Sequence, residues 1–151
     1  MMITPHVLAG AAFATKISNP FILVLCAFVS HFLLDMIPHK DYNITPLKAN
    51  FYKLVIDAGI SLSLLFYFIG NLPLEKQFLF AVAGFFGILP DGLWMLYRLF
   101  NWKFLERYVA MHNFLHWLII PESHQTHFVF GMFTQICVSI AGLCVIGVYT
   151  L

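Results

Sequence analysis

Residues 30–42 read SHFLLDMIPHKDY, and they end the nearly apolar run PFILVLCAFVSHFLLDMIP that begins at Pro20. A spacing of four residues puts His31 and Asp35 on one face of a helix. Pro38 disfavours helical geometry at the residue before it, so we expect the helix to end there and the chain to turn. Nitrogen and oxygen ligands grouped at the end of a hydrophobic helix are typical of a metal site. Because ionisable groups at membrane depth cost free energy, their presence there indicates a function. The potential ligands in this stretch are His31, Asp35, His39 and Asp41.

The composition is that of an integral membrane protein. Of the 151 residues, 61% are hydrophobic and 10% are charged, whereas a soluble domain carries about 25% charged residues. The formal net charge of +1 gives no reason to expect nucleic-acid binding. No polar linker, low-complexity segment or internal repeat divides the chain, so we expect residues 1–151 to form a single membrane-embedded helical domain.

Five apolar segments predict an all-α, polytopic transmembrane bundle. They cover residues 5–16, 20–37, 51–70, 74–99 and 126–150. The first segment is short and rich in Ala and Gly, which suits close packing inside a bundle, and the sequence allows it either to span or to re-enter. The fourth contains LPDG at 89–92, where we expect a kink or a break. A short amphipathic helix is predicted near residues 104–118.

If each segment crosses the membrane once, ten ionisable side chains fall toward the same side. They are His6, His31, Asp35, His39, Asp57, Asp91, His112, His116, His124 and His127. A rise of about 1.5 Å per residue also puts His6 and His31 at a similar depth. Each lies about 15–16 Å from the other side of the membrane, counted from Lys16 for His6 and from Pro20 for His31. Most Lys and Arg residues fall on this side too, so the positive-inside rule predicts that the site faces the cytoplasm.

Histidine and aspartate ligands suit zinc, manganese or iron, and zinc is the commonest choice in hydrolytic sites. The predicted metal ligands are His6, His31, Asp35, His39, Asp91, His112 and His116. Seven ligands exceed the needs of one tetrahedral ion, which favours two or more ions, an arrangement that suits phosphoester displacement. The predicted catalytic residues among them are Asp35, His39 and Asp91. Three further residues are expected to support the ligands from outside: Asp41, Asp57 and His127.

Each of these predictions has a structural alternative. His31 and Asp35 could pair only with each other and lock two helices together, and Asp91 could cap a helix that resumes after the proline. Other histidines could serve only as helix-start or interfacial residues: His6, His112 and His116. For the whole protein, a metal-binding transporter or channel and a non-enzymatic scaffold held by His–Asp contacts are the alternatives to an enzyme.

Three motifs together resemble the family of membrane-bound metal-dependent hydrolases, which includes inner-membrane proteins of bacteria. The motifs are TPHVLAGAAFA at 4–14, HxxxDxxPHxD at 31–41 and LPDG at 89–92, so the resemblance covers about the first two-thirds of the chain. It implies metal or active-site roles for His6, His31, Asp35, His39, Asp41 and Asp91. The later histidines rest on spacing and depth alone: His112, His116 and His127. Since the site is expected at the depth of headgroups, the expected substrate is a phosphoester or other ester of a lipid.

Overall fold

The computed structural model describes residues 2–40, 47–119 and 127–150, and within these ranges every regular element is helical. The six α-helices found there are α1 (Ile3–Ala12), α2 (Pro20–Asp35), α3 (Leu47–Ile69), α4 (Leu74–Phe100), α5 (Glu106–His116) and α6 (Phe128–Thr150). Short 3-10 helices follow α1 at Phe13–Thr15 and precede α5 at Lys103–Leu105. The all-α bundle that the sequence predicts is therefore confirmed, and the predicted short helix near 104–118 is α5.

Three helices are long and apolar enough to cross a membrane. They are α4, α6 and the part of α3 that runs from Phe51 to Ile69. Only 22–28% of each apolar window is buried inside the protein. The remaining faces need an apolar surrounding, which indicates membrane association. The two earlier segments also form helices, but with 10 and 16 residues they are shorter than the roughly 20 residues that cross the hydrocarbon core.

The short helix α1 lies at the centre of the bundle, where it packs against α2, α3, α4 and α6. Leu8 and Ala11 are fully buried, and Val7 is nearly so. A helix surrounded by protein in this way needs small residues rather than bulky lipid-facing ones, which agrees with its Ala- and Gly-rich sequence.

The contact between α1 and α4 is close because glycines face it from both sides. A Cβ on Gly10 would lie 2.7 Å from Ala83 O, and a Cβ on Gly87 would lie 2.5 Å from His6 O. Any larger residue at these two positions would push the backbones apart. The glycines therefore set how near α4 comes to the segment that carries His6.

The N-terminal end of α1 is held by side chains from two other helices. Asp57 of α3, which is buried, accepts hydrogen bonds from Ile3 N at 2.6 Å, Thr4 N at 3.3 Å and Thr4 Oγ1 at 2.5 Å. Gln135 of α6 accepts a hydrogen bond from Met2 N at 2.7 Å. Because Met2, at the N-cap position, provides no capping side chain, Asp57 performs this role from a neighbouring helix.

We expect Asp57→Ala to lower the free energy of unfolding by about 2 kcal/mol, the upper end of measured capping effects, because three donors lose a buried acceptor. Thermal unfolding in detergent, followed by circular dichroism, measures the change. Glu75→Ala is the matched control, since it removes an exposed carboxylate from the first turn of α4 and should cost less than about 1 kcal/mol. Equal losses in the two variants would contradict the capping role.

The sequence predicts a kink or a break at LPDG. Helix α4 runs through Pro90 without a break, so the break is excluded. Proline has no N–H and leaves the carbonyl of Phe86 without its usual helical donor. Tyr108 of α5 donates its hydroxyl to Pro90 O at 2.9 Å, and Trp94 Nε1 donates to Asn113 Oδ1 of α5 at 3.1 Å. These two bonds fix α5 against the C-terminal half of α4.

Candidate metal centre

Four side chains from three helices form a compact cluster, which we call the first ligand group: His31, Asp35, Asp91 and His112. One potential ligand atom of each lies within 4.8 Å of the others. His31 Nε2 is 3.1 Å from Asp35 Oδ2 and 3.6 Å from Asp91 Oδ1. His112 Nε2 is 3.2 Å from His31 Nε2, 3.3 Å from Asp91 Oδ1 and 3.8 Å from Asp35 Oδ2. The structure thus brings together α2, α4 and α5 at one end of the bundle.

A backbone carbonyl sets the orientation of His31. Its Nδ1 donates to Gly87 O at 3.0 Å, so the proton is placed on that nitrogen and Nε2 faces the carboxylates of Asp35 and Asp91. A nitrogen lone pair directed at two carboxylates requires positive charge, either as a second ring proton or as a metal cation. Because His31 and Asp35 are buried, this requirement is stronger than it would be in water.

The spacing of the first ligand group fits a metal ion. Bonds of about 2.0–2.1 Å in a tetrahedral site put neighbouring ligand atoms about 3.3–3.4 Å apart. Five of the six separations between these ligand atoms run from 3.1 to 3.8 Å, and the sixth is within 4.8 Å. Two imidazole nitrogens and two carboxylate oxygens are also ligands that divalent metals accept. The group can therefore hold a metal ion with only small shifts of its side chains.

A second ligand group consists of Asp35, His39 and His116, again with ligand atoms within 4.8 Å of one another. His116 Nε2 is 3.9 Å from Asp35 Oδ2, and the rings of His39 and His116 lie 4.9 Å apart at 82°. His39 Nδ1 donates to Ile37 O at 2.7 Å, which leaves Nε2 as the nitrogen that can coordinate. Asp35 belongs to both groups.

The turn that carries His39 is held against α6 by hydrogen bonds on both sides of the histidine. Thr134 Oγ1 donates to Pro38 O at 2.6 Å, and Gln135 Nε2 donates to Lys40 O at 2.9 Å. Both acceptors are backbone carbonyls, so the bonds fix the path of the chain rather than a single side chain. His39 is thereby directed toward the end of α2.

Gly131 completes this contact between α6 and the turn. A Cβ at this position would lie 2.7 Å from Lys40 N and 2.9 Å from His39 C, so only glycine lets the turn come so close. Sequence reasoning missed the part played by Gly131 and Gln135. The available signal was a glutamine four residues after a glycine in an otherwise apolar helix, since a buried amide in such a helix needs partners.

His6 lies beside Asp35 and outside both ligand groups. Its Nε2 donates to Asp35 Oδ1 at 3.1 Å, and its ring stacks on that of His31 with the centroids 4.1 Å apart. The sequence predicts His6 as a metal ligand; in the structure it contacts Asp35 Oδ1, whereas His31 contacts Asp35 Oδ2. In this position His6 holds the Asp35 carboxylate in a fixed orientation.

The residues expected to support the ligands lie in different places. In the described part of the chain, Asp57 contacts the start of α1 and no histidine of either group. His127 is exposed just before α6. Asp41 and His124 fall outside the described residues.

Asp91 forms the open edge of the first ligand group. Its side chain is 31% exposed, compared with 1% for that of Asp35. Tyr108 flanks this edge, and burial, followed by the negative charges of Asp91 and Asp35, raises the pKa of Tyr108 above its ordinary value. The phenol therefore stays protonated and keeps its hydrogen bond to Pro90.

Comparisons with protein-family models, with curated proteins and with solved structures gave no match for this chain. The resemblance to membrane-bound metal-dependent hydrolases therefore stays a prediction from the sequence motifs. On its own, the structure provides a buried cluster of histidine and aspartate that can hold a metal ion, inside an apolar helical bundle that associates with a membrane.

Proposed function

We propose that this protein is a membrane-bound metal-dependent hydrolase that cleaves a phosphoester or other ester of a lipid or its headgroup. The observation that carries the proposal is the convergence of two imidazoles and two carboxylates from α2, α4 and α5 on one small space. The hydrogen bond from His31 Nδ1 to Gly87 O, which turns Nε2 toward both carboxylates, supports it. Zinc is the proposed metal, and manganese and iron are alternatives that the same donor atoms accept.

The residues of the first ligand group have different proposed roles, which follow from how exposed each side chain is. His31, Asp35 and His112 are buried and would hold the ion, which supplies Lewis acidity toward a water molecule and an ester oxygen when it is bound. Asp91 is the partly exposed member, so a substrate can reach it. Its carboxylate is placed to act as a general base that takes a proton from the attacking water.

The proposed substrate and location follow from where the site lies in the bundle. Lys40 directly follows His39 in the chain, Lys53 lies near the start of α3, and Lys103 and Arg107 lie at the start of the segment that leads to His112. Basic residues at a membrane surface attract anionic headgroups, and their excess at one end predicts that this end faces the cytoplasm. We therefore propose an inner-membrane enzyme whose site opens on the cytoplasmic side.

Metal analysis and an ester screen test the proposed function. Protein purified without chelator should contain a transition metal and should hydrolyse at least one member of a panel of phosphate and carboxylic esters, presented in detergent and in bilayers. His112→Ala should weaken metal binding by at least about 100-fold and remove the hydrolysis. Glu106→Ala, which changes an exposed residue of the same helix, should behave as the wild type.

Three results would contradict the proposal. Metal-free protein that was never exposed to chelator or acid would remove the basis for any metal-dependent activity. Metal flux across reconstituted vesicles, with no hydrolysis of any ester, would indicate a transporter instead. Equal hydrolysis by the wild type and His112→Ala would point to a contaminating enzyme and would overturn the catalytic assignment.

A further inference from the structure

We infer that Asp35, His39 and His116 form a second metal site, and that Asp35 is shared between two ions. The inference rests on the proposed function, because it adds a second ion to the same centre. It also narrows the substrate class, since two adjacent ions clamp both the attacking and the leaving oxygen of a phosphoester.

The two groups share a feature of ligating histidines. A histidine that binds a metal almost always donates its other ring N–H to a carbonyl or carboxylate, which fixes the ring. His31 does so to Gly87 O at 3.0 Å, and His39 does so to Ile37 O at 2.7 Å. Each group therefore contains one imidazole whose Nδ1 is held by a backbone carbonyl, so that Nε2 is the nitrogen available for a metal.

Asp35 lies where a bridging carboxylate is needed. Its Oδ2 is 3.1 Å from His31 Nε2 in the first group and 3.9 Å from His116 Nε2 in the second. His6 holds the other carboxylate oxygen at 3.1 Å. Ions in two-metal sites lie about 3.5–4 Å apart, so a single carboxylate between the two groups is short enough to serve both.

Helix α5 supplies one histidine to each group. His112 and His116 are four residues apart and so lie on one face of the helix, about 6 Å apart along its axis. Their ring centroids are 6.1 Å apart. This spacing could suggest that both histidines bind one metal. Here it places His112 and His116 against neighbouring positions along α2.

The second group is supported by α6, which holds the turn that carries His39. Thr134 and Gln135 each bind a backbone carbonyl next to the histidine, and Gln135 is buried. A ligand fixed in this way loses little conformational freedom on binding. The second group contributes three ligands, which leaves coordination positions open for a substrate oxygen.

Metal stoichiometry tests the second site. Zinc titrated into chelator-treated wild-type protein should bind at two ions per chain, by calorimetry and by elemental analysis. His39→Ala and His112→Ala should each bind one, because each removes a ligand from a different group. Glu106→Ala should again bind two. With manganese, the wild type should give the exchange-coupled paramagnetic resonance spectrum of two ions that share a carboxylate, and His39→Ala should give the spectrum of an isolated ion.

The outcomes separate this inference from the proposed function. One ion per chain in both the wild type and His39→Ala would overturn the second site and leave a single-metal hydrolase standing. No ion in the wild type would overturn both. Two ions in His39→Ala would also overturn the assignment of His39 as a ligand.

The substrate class has its own test. Wild-type protein should hydrolyse phosphoesters at least about 100-fold faster than His39→Ala does, the loss expected when support for a metal is removed. Vesicles containing phosphatidic acid and soluble p-nitrophenyl phosphate distinguish a lipid phosphoester from a free one. Faster cleavage of carboxylic esters than of either phosphoester would overturn the inferred substrate class.

Discussion

Asp35→Asn is expected to leave the purified protein without metal at either ligand group while the helices stay folded. The amide has nearly the same shape as the carboxylate but lacks the charge that offsets a cation in a low-dielectric site. Its oxygen can still accept from His6 Nε2, and its N–H₂ can donate to His31 Nε2, which lies 3.1 Å from Asp35 Oδ2 in the wild type. Removing a buried charge in this way should cost the metal-free protein little stability.

The measurement combines metal content with the melting temperature, with and without chelator. In the wild type, chelation should lower the melting temperature, because an ion at a hundredfold excess over its dissociation constant adds about 2.7 kcal/mol to the folded state. In Asp35→Asn the chelator should have no effect. Asp57→Ala provides the reverse pattern, with lower stability and an intact metal content below its melting temperature. A chelator-sensitive melting temperature in Asp35→Asn would contradict the shared-ligand role.

Gly87→Ala is expected to be the most destabilising small substitution in the bundle, by about 3 kcal/mol or more, at the upper end of overpacking effects. The added Cβ would lie 2.5 Å from His6 O and 3.3 Å from Gly10 Cα, and both of these are backbone atoms that cannot rotate away. Moving α1 aside would also separate His6 from Asp35. Metal binding should therefore fall together with stability.

Gly92→Ala on the same helix is the matched control for Gly87→Ala. No atom lies within 4 Å of a Cβ at this position, so the substitution should leave stability unchanged or raise it by up to about 1 kcal/mol, as alanine favours helix. Unfolding of both variants in detergent gives the comparison. Equal melting temperatures would mean that α1 and α4 can move apart at little cost.

Local patterns in the sequence were sufficient to predict the helices, and six of the seven predicted ligands lie in the two candidate ligand groups. The apolar run before Pro38 predicted a helix over 20–37, and the structure has it at Pro20–Asp35. The spacing of His31 and Asp35 required a shared face, which depends only on helical geometry. These features follow from residues that are close together in the chain.

The partner of each side chain could not be predicted in the same way. The positions of His6 and His31 along their helices predicted that the two residues lie at a similar depth. They did not predict that His6 contacts one oxygen of Asp35 while His31 contacts the other. That choice depends on how closely α1 approaches α4, which a glycine contact sets. Asp57 was expected to orient a histidine and instead caps α1, because a cap supplied by another helix has no signature near the helix it caps.

The hydrogen bond between Met2 N and Gln135 Oε1 joins the first described residue to the last helix. During synthesis α1 leaves the ribosome before α6, so the start of α1 gains this partner only after α2 to α5 have been made. The same glutamine holds the turn that carries His39. A chain arrested before α6 would contain the ligands of α2, α4 and α5 but not the support for the second group. We therefore expect the support for the second group to be complete only after α6 has been made.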